Sequence, residues 1–230
     1  METCPPEFFA THVKSLCCAN FISAADVAQI LSVCTGITRL ACWITIPNYG
    51  MEGKRLSLLS TAILSRLPQR LSMHLRVLTF PNDDPSFRFA TLRSLTHLSV
   101  RDPLSTWIKW SWNGIENLSA LSFLSLDARG FQVRYEDAMS RVICRVLSSC
   151  VNLRACVLMI QPLLESERRS TSEGDRDYIR RVGRGDPRLV ARIPPDYFMD
   201  WEAHSNGCDD IWDIAERIAE CEKRKRCASS

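Results

Sequence analysis

His204 stands among Asp200, Glu202, Asp209 and Asp210, so one stretch of the chain brings an imidazole close to several carboxylates. Such a group can ligate a divalent cation or relay a proton in hydrolysis. The same carboxylates serve equally well as helix caps and a solvated face. That structural reading is preferred, and a hydrolase using the His204 region is kept as an alternative. Cys144, Cys150 and Cys156 lie six residues apart, and Cys-x-x-Cys is absent, so zinc spacing is not met. A nucleophile elbow and a phosphate-cradling glycine loop are also missing; Gly183-Arg-Gly185 is too sparse. The expectation is no catalytic residue, no metal and no cofactor. At the end of the sequence, Cys227-Ala-Ser-Ser230 follows Lys223-Arg-Lys-Arg226, features of a farnesylation signal beside a polybasic patch. Ser229 fits poorly where an aliphatic residue is usual. A frayed helix end with dipole-matching base is the favoured reading, and Cys227 is the lipidation candidate set against it; a nuclear-import role for the basic run is a further minor reading.

Whatever these residues do, they must be held by a framework, and leucine spacing defines it. Leu121-Ser-Phe-Leu124-Ser-Leu126 has apolar residues at its first, fourth and sixth places. The same skeleton recurs at Val13, Leu16, Cys18; Ile37, Leu40, Cys42; Leu75, Leu78, Phe80; Leu95, Leu98, Val100; and Leu153, Cys156, Leu158. Short alternating runs are strand signals, and parallel strands need crossovers between them. Three links have helical spacing. Ser23 is placed to cap Ala24 to Cys34, with Gly36 just beyond. Leu56, Leu59, Ile63 and Leu67 precede Pro68. Asp137 is placed to cap a helix carrying Met139, Val142, Ile143, Val146 and Leu147 inward.

After Pro162 the repeat stops. Glu165 to Asp186 is polar, Arg188 to Ile193 reads as another strand, and Pro194-Pro195 opens a short helix. Asp209 or Asp210 then caps a last helix with Ile211, Trp212, Ala215, Ile218 and Ala219 inward. The fold class expected is α/β: a leucine-rich-repeat-like solenoid of parallel strands with irregular helical crossovers and a helical C-terminal cap over its open end. The divisions are 1–162 for the solenoid, 163–186 for a polar linker or loop, and 187–230 for the terminal strand and helices.

Ile30-Leu-Ser-Val-Cys34-Thr-Gly-Ile-Thr-Arg-Leu40 and Val146-Leu-Ser-Ser-Cys150-Val-Asn-Leu153 both read as helix end, Cys, strand. With Asp186-Pro-Arg-Leu-Val, Asp200-Trp-Glu202 and Gly207-Cys-Asp-Asp-Ile-Trp212, the chain resembles the F-box/leucine-rich-repeat-like proteins of mushroom-forming fungi. The resemblance spans roughly His12 to Glu222 and implies a substrate-recognition module of a ubiquitin ligase. About a dozen residues precede the first strand, too few for an F-box, so binding to a ligase adaptor does not carry over. A degenerate or truncated member without a ligase partner is the alternative. The Asn usual after such strands is missing, so the turns must satisfy their backbone groups in another way.

Composition narrows the partner. The chain of 230 residues has 29 basic and 26 acidic side chains, and no block of one sign dominates it. The places between the core leucines are expected on an exposed concave face. There the third, fifth and seventh rows include Arg39, Trp43, His97, Arg101, Phe123 and Asp127, the expected contacts for an unknown protein partner. The fifth row carries no charge, which disfavours a nucleic-acid backbone. No apolar run reaches transmembrane length, so stable membrane insertion is not expected. Neither a basic leader nor a long apolar segment opens the chain, and most of the 11 cysteines lie in apolar runs. A reducing compartment, cytoplasmic or nuclear, is the expectation. Trp107, Trp110 and Trp112 fall in one irregular link and are expected in the core rather than on a surface patch.

Overall fold

The computed structural model describes residues 5–19, 21–44, 53–66, 68–79, 85, 87, 92–129, 135–160, 185–192 and 197–229. Elements follow in chain order: α1 (Pro6–His12), β1 (Ser15–Cys18), α2 (Ala24–Val33), β2 (Arg39–Cys42), α3 (Gly53–Leu64), β3 (Arg70–Met73) and α4 (Arg76–Thr79). Then come β4 (His97–Val100), α5 (Leu104–Trp107), β5 (Phe123–Asp127), α6 (Glu136–Ser149), β6 (Ala155–Met159), β7 (Leu189–Arg192), α7 (Tyr197–Ser205) and α8 (Ile211–Ser229). The seven strands form one all-parallel sheet in the order β1 to β7, each beside its sequence neighbour.

Register follows the leucine rows. Leu16, Leu40, Leu71, Leu98 and Leu124 stand directly opposite one another across β1–β5, and Cys156 and Leu189 continue the row. Before each early strand one carbonyl accepts two N–H groups of the next: Lys14 from Thr38 and Arg39, Thr38 from Gln69 and Arg70, Gln69 from Thr96 and His97. The leucine side of the sheet packs on α2, α3 and α6 through Val27, Leu31, Leu59, Ile63, Met139 and Val146, all fully buried. At the α1–α2 contact a Cβ on Gly36 would stand 2.0 Å from the Ala10 carbonyl oxygen, so only glycine fits there.

The third strand lies elsewhere than the leucine spacing predicts. It is Arg70–Met73, whose first place is Pro68, while Leu75 and Leu78 flank and enter the short helix α4. Proline hides the apolar skeleton, and Leu75 with Leu78 satisfies helical spacing as well as strand spacing. The third, fifth and seventh places of this strand segment are therefore Arg70, Ser72 and His74. The Ser23 cap forms, with its hydroxyl accepting from Asp26 N at 3.2 Å. Asp137 instead sits within the first turn of α6, which starts without a side-chain cap. All five inward residues of α6 are buried. Two of the turns are satisfied by aspartates in place of asparagine: Asp102 accepts from Leu75 N at 2.6 Å, and Asp127 from Arg129 N at 3.0 Å. Leu67, Phe80 and most of the 163–186 segment lie outside the described residues.

The tryptophan link folds into the core. Trp107 and Trp112 are fully buried, Trp110 is buried, and Phe87 stacks on Trp112 at 5.5 Å. Both buried indole N–H groups find carbonyls, Trp107 on Asp127 at 2.7 Å and Trp112 on Trp107 at 2.9 Å. Trp112 holds φ at 54°, a left-handed conformation unusual for a bulky residue.

Candidate functional site

The alternate residues of the strands build the second face of the sheet, and its character changes along the strand order. Across β5–β7 it carries apolar Phe123, Ala155, Val157, Met159 and Val190, with Ser125, Asp127 and Arg192 also on it. Across β2–β4 it carries Arg39, Ala41 and Trp43, then Arg70 and Ser72, then His97, Ser99 and Arg101. Parallel strands dictate this gathering, because equivalent places of successive strands stand 4.7–4.9 Å apart.

This face is covered by the chain's own C-terminal helices. On the apolar part, α8 lays Ile211, Trp212, Ala215 and Ala219 against β6 and β7. The expected inward residues are therefore the ones observed, but the helix lies across a face of the sheet instead of closing its open end. Over β2 and β3 lies α7. Trp43 meets Phe198 edge-on at 5.1 Å and Trp201 at 6.4 Å. Arg39 donates to the Trp201 carbonyl at 3.0 Å, and its guanidinium lies 5.0 Å from the Trp201 ring.

At the centre, Arg70 donates to Asp210 at 2.8 Å, with the two side chains 13% and 4% exposed. Asp210 is the α8 cap: its other oxygen accepts from Trp212 N and Asp213 N, while Asp213 accepts from Asp210 N at 3.0 Å. This reciprocal arrangement is a capping box. Asp200 ties α7 to α8 by accepting from Ile211 N at 2.8 Å. Its carboxyl is pushed up to about 6, first by burial and then by Asp210, against the pull of Arg101 and Arg192.

His97 lies beneath. Arg70 Nη2 is 3.0 Å from His97 Nε2, and Thr96 Oγ1 is 2.8 Å from Nδ1 while bonding to the Gln69 carbonyl. Arginine can only donate, so Nε2 must accept and Nδ1 must carry the proton. Burial and then Arg70 hold His97 down to about 3, which keeps the ring neutral. It stacks on Phe123 at 4.5 Å with Trp212 at its edge. A cavity of about 30 Å³ remains between the helices and this face, lined among others by Trp43, Arg70, His97, Arg101, Asp200 and Trp212. It has room for one or two waters, far below the volume of a substrate pocket.

The structure thus gathers Arg39, Trp43, His97, Arg101 and Phe123 on one face, but under cover. Phe123 and Arg101 are buried and the others half-buried. Asp127, 2% exposed, lies farther along, where it holds Arg129 through Nε at 2.8 and 2.9 Å. Arg70 belongs to this group and was missed in the sequence, because the Pro68 segment does not satisfy the leucine spacing. His204 is exposed on α7, 3.6 Å from Asp210, and does not line the cavity. His204, Asp210 and Asp213 bring ligand atoms within 4.8 Å of one another. Asp210 is already committed to Arg70 and to the helix N–H groups, so the trio reads as a cap.

Cys18, Cys34, Cys42, Cys150 and Cys156 are buried free thiols, while Cys208, Cys221 and Cys227 are exposed. Burial pushes the Cys42 thiol up to about 12. Cys227 stands in the exposed last turns of α8, beyond the residues that pack on the sheet. Among the described residues no helix is long and apolar enough to cross a membrane. No protein-family model matches the chain, and no curated protein is significantly similar to it.

Proposed function

We propose that this chain is a non-enzymatic protein-interaction module. Its strands are read as a leucine-rich-repeat-like stack similar to the substrate-recognition part of F-box proteins. The repeat reading is supported by the single row of Leu16, Leu40, Leu71, Leu98, Leu124, Cys156 and Leu189 across a sheet built in strict sequence order. The function reading rests on one observation: β2–β4 gather Arg39, Trp43, Arg70, His97 and Arg101 on one face of the sheet. Arginine and tryptophan are the side chains that contribute most to protein interfaces.

The test is quantitative affinity capture with the wild-type chain and with Arg39→Ala plus Trp43→Ala, after circular dichroism shows the fold is kept. Partners recovered with the wild type drop with the variant. An unchanged partner set contradicts the assignment.

A further inference from the structure

The helix-bearing side of the sheet holds an open groove of about 570 Å³ between α6 and the tryptophan link. Buried Trp110 and Val142 form its floor, together with half-buried Ile108 and Ala138. Arg141, Arg145 and Ser148 stand exposed along the α6 wall. They share that wall because residues three and four apart on a helix are neighbours on its surface. The volume falls in the range of small-molecule sites and far exceeds what a few waters need.

The wall is charged in one sense only. Among the described residues neither Arg141 nor Arg145 pairs with a carboxylate, whereas Arg154, Arg217 and Arg224, equally exposed, each hold one. The acids of α6, Glu136 and Asp137, stay in its first turn, and no acid is among the described residues that line the groove. Arg145 donates to Asn113 Oδ1 at 2.6 Å, which ties α6 to the link and holds that guanidinium at the groove.

The opposite wall is built on strain. Trp112 underlies the groove with φ at 54°. Bulky residues persist in that conformation only where their surroundings enforce it, and such positions gather at ligand sites. Here the enforcement comes from the core, where Trp112 donates to the Trp107 carbonyl and stacks on Phe87. The turn so made sets Ser111 on the rim and Asn113 against Arg145.

We infer that this groove is a binding site for a small aromatic acid. The flat apolar body of the ligand lies on the indole-bearing floor, and its carboxylate takes the guanidinium groups of Arg141 and Arg145. Guanidinium meets carboxylate through two parallel N–H bonds, which selects a planar anion over a neutral polar group. The site goes beyond the interaction reading and does not depend on it, because Arg39 and Trp43 stand on the other face of the sheet.

The experiment titrates the full chain calorimetrically with 1-naphthoate and with 1-naphthamide, its uncharged counterpart. A single saturable site for 1-naphthoate is expected, with 1-naphthamide bound about tenfold more weakly. Arg141→Gln should weaken 1-naphthoate by about tenfold and leave 1-naphthamide unchanged. Ser148→Trp, at an exposed helical position, fills the groove and should remove binding of both. Arg39→Ala plus Trp43→Ala should change neither. Circular dichroism confirms the fold of each variant, and the comparison of acid with amide needs no variant at all. No saturable binding of 1-naphthoate below about 1 mM overturns the site, as does equal affinity for acid and amide. Binding of 1-naphthoate that survives Ser148→Trp or is indifferent to Arg141→Gln also overturns it, and so does binding lost with Arg39→Ala plus Trp43→Ala.

Discussion

Asp102 is fully buried at the turn after β4 and accepts from Leu75 N at 2.6 Å through one oxygen. Burial pushes its carboxyl from 3.8 up to about 6, although the Leu75 and Arg76 N–H groups pull the other way. A carboxyl with a raised folded pKa binds its proton more tightly in the folded chain. The associated stability is therefore fully present below about pH 4 and is lost as the pH rises through about 6. A shift of about two units corresponds to about 3 kcal/mol between those limits. Replacing Asp102 with Asn removes the titrating group and retains a carbonyl that can accept from Leu75 N. Some of the gain is offset by loss of a charge-assisted hydrogen bond, of about 1 kcal/mol. The variant should thus be more stable than the wild type at pH 7 by about 2 kcal/mol, and the difference should shrink or reverse near pH 4. Urea unfolding of both proteins across this range measures it, and the difference cancels the titration of other carboxyls. A difference that stays constant from pH 4 to 7, or grows toward low pH, refutes the reasoning.

Three further outcomes are expected. Asp200 has its ordinary pKa when α7 is undocked and about 6 when docked, so docking is strongest at low pH and weakens as the pH rises through about 6. Exchange of α7 amides, corrected for intrinsic rates, should rise over that window in the wild type and stay flat in Asp200→Asn. Trp112→Ala removes a fully buried indole stacked on Phe87 and should cost about 3–5 kcal/mol in urea unfolding. In a brief native alkylation followed by mass spectrometry, Cys208, Cys221 and Cys227 should label, while Cys18, Cys42 and Cys156 should label only after unfolding.

The leucine rows were legible wherever both the first and the fourth place are apolar. Leu121-Ser-Phe-Leu124-Ser-Leu126 becomes β5 in the expected register, and five of the six segments contain the strand they predict. The exception has Pro68 where a leucine is expected, and the decoy at Leu75 and Leu78 meets the spacing of a helix as well. That single slip removed Arg70 from the candidate face. The placement of the tail was harder to read, because an amphipathic helix declares which of its faces is buried but not against what. One signal was available: Ala155-Cys-Val-Leu-Met159 is apolar at every place, as expected of a strand covered on both sides. Phe123 in β5 carries the same information. Reading those alternate residues as cover for α8 would have located the tail on the sheet face, with Arg39, Trp43 and His97 at its margin.

We propose that another protein binds the face of β2–β4. Trp43, half-buried at the margin of α7, gives direct access to it. A photo-cross-linking residue in place of Trp43, compared with the same residue at Val151, which is 80% exposed and does not belong to that face, tests the claim in cells. The account predicts a discrete cross-linked protein species from position 43 and none from position 151. Equal cross-linking from both positions, or none from position 43 while the variant remains folded, would contradict it.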